Sequence, residues 1–393
     1  MDISKHVDEI REEFPLLEYT TYFNCAGQGP ALARVQAKVM DWWEFYTYQV
    51  HSVIREPDAK GEAAKMLDVN AADITWVNRV SQACNIVSSM MKMKKGDNVV
   101  ITDLGYPTGS YPFLPWREKG VEIRAVKNRD GIITTSDFED AIDNKTKVVS
   151  LSHIEWTSGL LHDVKAISSI AHEHGAMVLD DGYQSQGNID VNPEKDGVDF
   201  YTFGSQKWMC CPMQAGVLYI KHNIIDEFEP IYRNYNKVEE AFRGGALWVK
   251  PDHDNITSWD YPLVKSAEKF NMGCVPENAL WGFYACLDFF NSLDTKDIEK
   301  RNRQLSGYLI EGLKEFNVKV NTPEDPKRRG GLVTYTTGKH EDNQKIFNAL
   351  NKEGIKVALR YAAGIGGIRV STHIYNTEEE IDRLLQVQKK TLG

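Results

Sequence analysis

The sequence predicts an α/β fold: a mostly parallel sheet with helices on both faces, followed by a smaller C-terminal α/β domain. Three observations predict it. From about residue 70, short apolar runs alternate with amphipathic stretches, the pattern of βα units. Past about residue 260 that rhythm gives way to a long helical region and then to a second set of short strands. The chain has 393 residues and is 42% hydrophobic, enough for one large core and a smaller one beside it.

Residues 1–20 are charged and amphipathic and are expected to form a helical arm that joins the smaller domain. The large domain is expected over 21–260. Within it, the runs 73–77, 98–102, 121–126, 147–152, 176–180, 200–203 and 217–220 read as strands. The stretches 82–92, 135–142 and 164–174 read as helices, each able to cross over between parallel strands. Residues 223–261 are loop-rich, which sets the boundary there. The smaller domain, 261–393, is expected to open with helices 275–293 and 296–316. Strands 318–320 and 331–336, helix 343–353, strands 356–359 and 367–371 and a last helix 378–390 follow. The sequence shows no internal repeat and no low-complexity segment.

Composition narrows the function classes. A formal net charge of −10 repels a phosphate backbone, and no Lys/Arg block with interleaved aromatics offsets it, so nucleic acid is not an expected partner. The N-terminal stretch lacks the apolar run of a secretory signal and no segment has membrane-spanning length, so a cytoplasmic protein without a membrane partner is expected. The six cysteines are too sparse for a disulfide framework, and Cys210-Cys211 lacks CxxC spacing; reduced structural thiols are the expectation. His172-Glu-His174 and Asp252-His253-Asp254 look superficially like metal ligands. The first ends a helix and the second lies in a loop without distant partners, so no metal is expected.

The chemistry concentrates in two segments. Ala176-Met-Val-Leu-Asp180-Asp181 puts an acid at the carboxyl end of a strand, where open α/β sheets bind ligands. Asp199-Phe-Tyr-Thr-Phe-Gly-Ser205-Gln206-Lys207 does the same for a lysine 26 residues later. Pyridoxal 5′-phosphate (PLP) chemistry needs such a pair: an amine for the imine and a carboxylate to keep the ring nitrogen protonated. The amine must also lose a proton near neutral pH, which burial and a cationic neighbour favour by lowering the free value of about 10.4.

The order Asp181-x-x-Gln184, then Ser205-x-Lys207, resembles the class V aminotransferases and their relatives of PLP fold type I: cysteine desulfurases, selenocysteine lyases, isopenicillin N epimerases and kynureninases. The similarity runs from Tyr22-Phe-Asn24-Cys-Ala-Gly-Gln-Gly-Pro30 to Ile368-Arg369-Val-Ser371 and on to Leu384. It implies PLP as cofactor, Lys207 as its Schiff-base lysine, Asp181 on the ring nitrogen and Gln184 at the phenolate oxygen. Ser81 and Gln82, opening a helix, would hold the phosphate, with Ser205 and Gln206 as further donors. Ser81 also suits an ordinary helix cap.

Tyr106 would stack on the cofactor face; an ordinary core tyrosine is the competing reading. Arg369, on a strand, would grip a substrate carboxylate with its planar fork; the competing use is an ion pair with Glu378–Glu380, and Arg360 is the second candidate. Asn24 is implied to lie near the substrate. Gly364-Ile-Gly366-Gly367 reads as a mobile loop and not as a dinucleotide fingerprint, since no helix follows it. Three positions depart from the common pattern. Gln206 stands where histidine is frequent, Trp156 where desulfurases carry asparagine, and Cys274 where a threonine often reaches the neighbouring subunit's phosphate. Trp156 would then contact both cofactor and substrate, and Cys274 would be a weaker phosphate donor. The resemblance further implies a homodimer with shared active sites, through segments 243–245 and 273–274.

With a small amino acid bound, Lys207 is the natural general base at Cα. No cysteine follows Cys286 and the 361–368 segment has none, which disfavours a persulfide-carrying desulfurase. Tyr106-Pro107, Trp156 and the missing thiol suggest an enzyme similar to isopenicillin N epimerase or a class V aminotransferase. The alternatives are a C–S or C–Se lyase without a persulfide cysteine, a kynureninase-like hydrolase, and a non-catalytic PLP-binding module.

Overall fold

The computed structural model describes residues 3–49, 57–212, 214–234, 237–239, 262–273 and 275–392. Eight strands come first: β1 (Thr21–Tyr22), β2 (Ile74–Val77), β3 (Asn98–Thr102), β4 (Glu122–Val126), β5 (Thr146–Ser152), β6 (Met177–Asp181), β7 (Phe200–Gly204) and β8 (Gly216–Ile220). Seven of them form one sheet in the order β2-β8-β7-β6-β5-β3-β4. The pairs from β7 through β6, β5 and β3 to β4 are parallel, as the βα rhythm predicts. β8 runs antiparallel to both β7 and β2. The cause lies in the 205–215 connection, which is shorter than the dozen residues a parallel crossover needs and so turns the chain straight back. β7 and β8 are buried at every position, which explains why they read in sequence as unbroken apolar runs.

Helices cover this sheet. Val80–Met90 leaves β2, Thr135–Ala141 opens on a capping box between Thr134 and Asp137, and Val164–Glu173 is capped by Asp163, whose side chain accepts the Ala166 N–H. Two helices that the sequence reading did not anticipate, Ala33–Tyr48 and Ala59–Leu67, pack against Glu277–Leu293.

The C-terminal part holds β9 (Lys319–Val320), β10 (Leu332–Thr336), β11 (Ile355–Lys356), β12 (Ala358–Ala362) and β13 (Ile365–Ser371). β12-β13-β10-β9 form an antiparallel sheet with its own core of Leu305, Leu309, Ile346, Leu350, Ile368, Val370 and Leu384. The single strand expected at 356–359 divides at Val357, so that β11 pairs with β1 while β12 pairs with β13. Glycines 366 and 367 lie inside β13 and not in a mobile loop. Only a glycine fits there, because a Cβ on Gly366 would come within 2.2 Å of the Arg360 carbonyl oxygen and φ is +140°. At the N-terminus, Arg11 donates to the Tyr375 carbonyl at 2.6 Å and pairs with Glu380 at 3.0 Å. The expected domain boundary at 260/261 lies outside the described residues, as do residues 243–245, Asp252-His253-Asp254 and Cys274.

Candidate active site

Parallel neighbours deliver their C-terminal loops side by side, and this places the acid beside the lysine. Asp181 ends β6 opposite Thr202 of β7, and Lys207 follows three residues after β7 ends. β3 leads to Tyr106 and β5 to Trp156 at the same end of the sheet, the end at which such sheets bind ligands.

Lys207 is partly buried. Its Nζ lies 4.0 Å from the centre of the Tyr183 ring and 5.4 Å from that of Tyr106. Burial pushes the ammonium well below the range of a free lysine; Asp181 opposes this and the positive charge of Arg369 adds to it. Asp181, buried at the strand end, is shifted the other way. Removal from water raises its carboxyl, and the nearby charges of Asp180 and Glu155 add to the rise, while the Tyr183 N–H, which it accepts at 3.0 Å, and Lys207 pull it down. A carboxyl held high by burial is one that a cationic ring nitrogen would stabilise as the anion.

Arg369 is 2% exposed on β13, donates from Nη1 to the Trp156 carbonyl at 3.0 Å, and has a buried Nε without a partner among the described residues. Burial, with the nearby charge of Arg360, pulls its guanidinium down to about 10, so it stays cationic. The competing ion pair is not formed: Glu378 pairs with Arg301 at 2.7 Å and Glu380 with Arg11. A buried, cationic fork without a carboxylate is unfinished, and an incoming carboxylate completes it. Arg360, the second candidate, is exposed on β12 and donates to the Leu359 carbonyl at 2.9 Å. Asn24 bridges Ser371, two residues beyond Arg369, and its buried Oδ1 also lacks a partner.

The Tyr106 and Trp156 rings meet edge to face, 5.4 Å apart at 89°, and the Trp156 Nε1 is buried without a partner. Tyr106 remains 43% exposed, which leaves its ring accessible from the crevice. Gln184 is buried with its amide oriented by two bonds, from Trp208 Nε1 at 2.7 Å and to the Ala26 carbonyl at 3.1 Å; one N–H remains to donate. Ser81 is exposed in the first turn of helix Val80–Met90, whose N-cap residue, Arg79, makes no side-chain cap. Gln82 spends its side-chain oxygen on the Asn78 N–H at 2.7 Å and its backbone N–H on the Arg79 carbonyl at 2.9 Å, so what it can offer an anion is its side-chain amide, which otherwise faces only the Met272 sulfur at 3.5 Å. Ser205 commits its hydroxyl proton to the Pro212 carbonyl at 2.5 Å, and the Gln206 carbonyl accepts the Gly29 N–H at 2.7 Å.

Sequence reasoning missed Tyr183, although it lies between Asp181 and Gln184. Glu155, directly before Trp156, is fully buried and makes contacts of 2.7 Å with the Thr102 hydroxyl and 3.0 Å with His162 Nε2. His162 and His153, the latter bound to Asp180 at 2.6 Å, line a separate cavity of about 660 Å³ that does not include Lys207. Of the superficial metal motifs, His172 pairs with Asp199 at 2.8 Å, and among the described residues no cluster suits a metal ion.

The groups needed to hold PLP are therefore present: an amine of lowered basicity, a buried carboxyl beside it, aromatic faces, and an uncapped helix N-terminus. The comparisons with known proteins agree. A probable cysteine desulfurase of Methanothermobacter thermautotrophicus is 26% identical over 420 aligned positions, covering 100% of this chain and 99% of that one. The apo structure of a cysteine desulfurase from Thermococcus onnurineus NA1 superposes with a TM-score of 0.84 at 23% identity, covering 98% of this chain and 97% of that one. The cystine C–S lyase C-DES, in complex with its reaction product cysteine persulfide, gives 0.83 at 21% identity, covering 95% and 99%. The family model described as Aminotransferase class-V matches residues 44–384. Since that match leaves only the two ends of the chain uncovered, the protein belongs to the class V aminotransferase family and is a PLP-dependent enzyme of fold type I.

Proposed function

We propose that the protein is a lyase that breaks the carbon–sulfur bond of a small sulfur-containing amino acid, cystine or cysteine, without carrying the sulfur on a protein thiol. One observation carries this reading. The hairpin joining β12 to β13, beside the carboxylate-gripping Arg369, turns at Ala363-Gly364 and has no cysteine, and the five described cysteines are all buried, including Cys25, whose thiol faces the Ser371 carbonyl at 3.9 Å and which burial holds protonated. The similarity to proteins named for sulfur chemistry moves the reading from epimerisation towards C–S cleavage.

When bound, PLP supplies an electron sink that makes the Cα proton of its amino-acid partner acidic. Lys207 Nζ, held at lowered basicity, takes that proton. Arg369 fixes the substrate carboxylate, and the Tyr106–Trp156 corner forms an aromatic wall beside it. Sulfur leaves Cβ with the bonding electron pair and, meeting no protein thiol, is released as sulfide from cysteine or persulfide from cystine. One water then hydrolyses the remaining three-carbon fragment to pyruvate and ammonium.

Incubation of the PLP-loaded enzyme with cystine and with cysteine tests the proposal. Sulfur release, pyruvate and ammonium in equal amounts are expected. A 2-oxo acid that forms only when an acceptor keto acid is added would indicate transamination, the second reading, which the family favours. Racemised substrate without sulfur release would restore the epimerase reading.

A further inference from the structure

We propose that Tyr183 is a cofactor-seating residue, its ring closing the site beneath the Lys207 amine and its hydroxyl donating to the cofactor phosphate. The inference rests on the PLP reading of the site and adds a residue to it.

Three features of the geometry support it. First, the Tyr183 ring is the nearer of the two aromatic faces at the lysine, with Nζ 4.0 Å from its centre against 5.4 Å for Tyr106. A group joined to that nitrogen and lying flat would be at stacking distance from Tyr183. Second, the ring is held in place. Its backbone N–H is bound to Asp181, and its edge leans on Gly204, where a Cβ would come within 2.8 Å of Cε2 and 3.2 Å of the hydroxyl. The absence of a side chain at the end of β7 thus makes the room that the phenol occupies.

Third, the hydroxyl lies at the right end of the site. Gly204 directly precedes Ser205 and Gln206, and the ring packs on the cluster containing Val80, Ala83 and Cys84 of the helix that opens with Ser81. Tyr183 thus touches one of the two segments that flank the phosphate position, at Gly204, and lies within electrostatic reach of Arg79, the N-cap residue of the helix in the other. Among the described residues its hydroxyl makes no hydrogen bond, and burial, followed by the charge of Asp181, pushes it above the ordinary tyrosine range, so it remains a donor at neutral pH.

The test uses apo protein titrated with PLP and, separately, with pyridoxal, which has the same ring and aldehyde but no phosphate. Affinity and the pH midpoint of the visible absorbance are read for wild type, Tyr183→Phe and Tyr183→Leu. Tyr183→Phe is expected to bind pyridoxal like wild type but PLP about 3- to 10-fold more weakly. Tyr183→Leu is expected to lose at least about 10-fold for both ligands and to shift the absorbance midpoint. The proposal is overturned if Tyr183→Leu matches wild type within about twofold on both ligands, or if Tyr183→Phe weakens PLP and pyridoxal equally. If Tyr183→Leu does not fold, the Tyr183→Phe contrast decides alone. A wild type that takes up neither ligand would instead contradict the PLP reading itself.

Discussion

Two opposed demands meet at Lys207: the amine must be neutral often enough to react, yet it must sit beside the carboxyl that charges the cofactor ring. The structure meets both by burial, which lowers the ammonium and raises Asp181 together, and by a second cation, Arg369, which adds to the lowering. Arg369 is otherwise unspent. Among the described residues its one bond, to the Trp156 carbonyl, leaves the buried Nε open, so Arg369→Ala is expected to cost about 1.5–3 kcal/mol in amino-acid binding, roughly 10- to 100-fold, with PLP uptake unchanged. Spectral titration with an unreactive amino acid measures the first and PLP titration the second; equal loss of both would remove Arg369 from the anchor role.

At this scale the sequence was legible where chemistry restricts residue type. An acid and a lysine after successive strands, and an arginine before Ser371, carry a pattern. Tyr183 carried none, because an aromatic just past a strand is usually a core residue, and only the nearness of Lys207 Nζ reveals its use. The inward turn of the Glu155 carboxyl onto Thr102 and His162 was not legible, because strand alternation does not extend into the 153–162 loop.

Among the elements, the β12–β13 hairpin is the one on which the reaction reading depends, since it carries both arginines and lacks a thiol. Its geometry is set by glycine. At Gly366, φ is +140° and a Cβ would overlap the Arg360 carbonyl, so Gly366→Ala is expected to destabilise the fold by about 2–4 kcal/mol, seen as a lower urea midpoint. An unchanged midpoint would mean that the hairpin is not held in this form. The glycine pair was readable as special but not as a strand, because positive φ without a following helix looks like a loop until pairing with β12 is seen. The parallel strands were legible from their continuous apolar runs. The antiparallel placement of β8 was not, since a buried strand reads the same in either direction.

For the whole molecule, the sheet brings the ends of β3, β5, β6 and β7 to one crevice, and the antiparallel C-terminal sheet supplies Arg369 from outside it. We propose that the division into a large domain up to 260 and a smaller one from 261 reflects these two sheets, with the N-terminal arm tied to the second through Arg11. We also propose a homodimer. Met40, Trp43 and Tyr46 recur every three residues on helix Ala33–Tyr48 and are 48–59% exposed, an apolar surface that a partner would cover. Sedimentation is expected to give twice the 44.6 kDa chain mass, with Met40→Glu/Trp43→Glu shifting the population towards single chains; a wild type sedimenting as one chain would refute the dimer. Among the described residues no helix is long and apolar enough to cross a membrane.

The most direct measurement is where PLP attaches. Purified protein is mixed with PLP, reduced with borohydride, digested and analysed by mass spectrometry, with the visible spectrum recorded before reduction. A visible imine band, one phosphopyridoxyl group on the peptide containing Lys207, and loss of both in Lys207→Ala are predicted. A colourless protein, or an adduct on another lysine with Lys207 unmodified, would contradict the account.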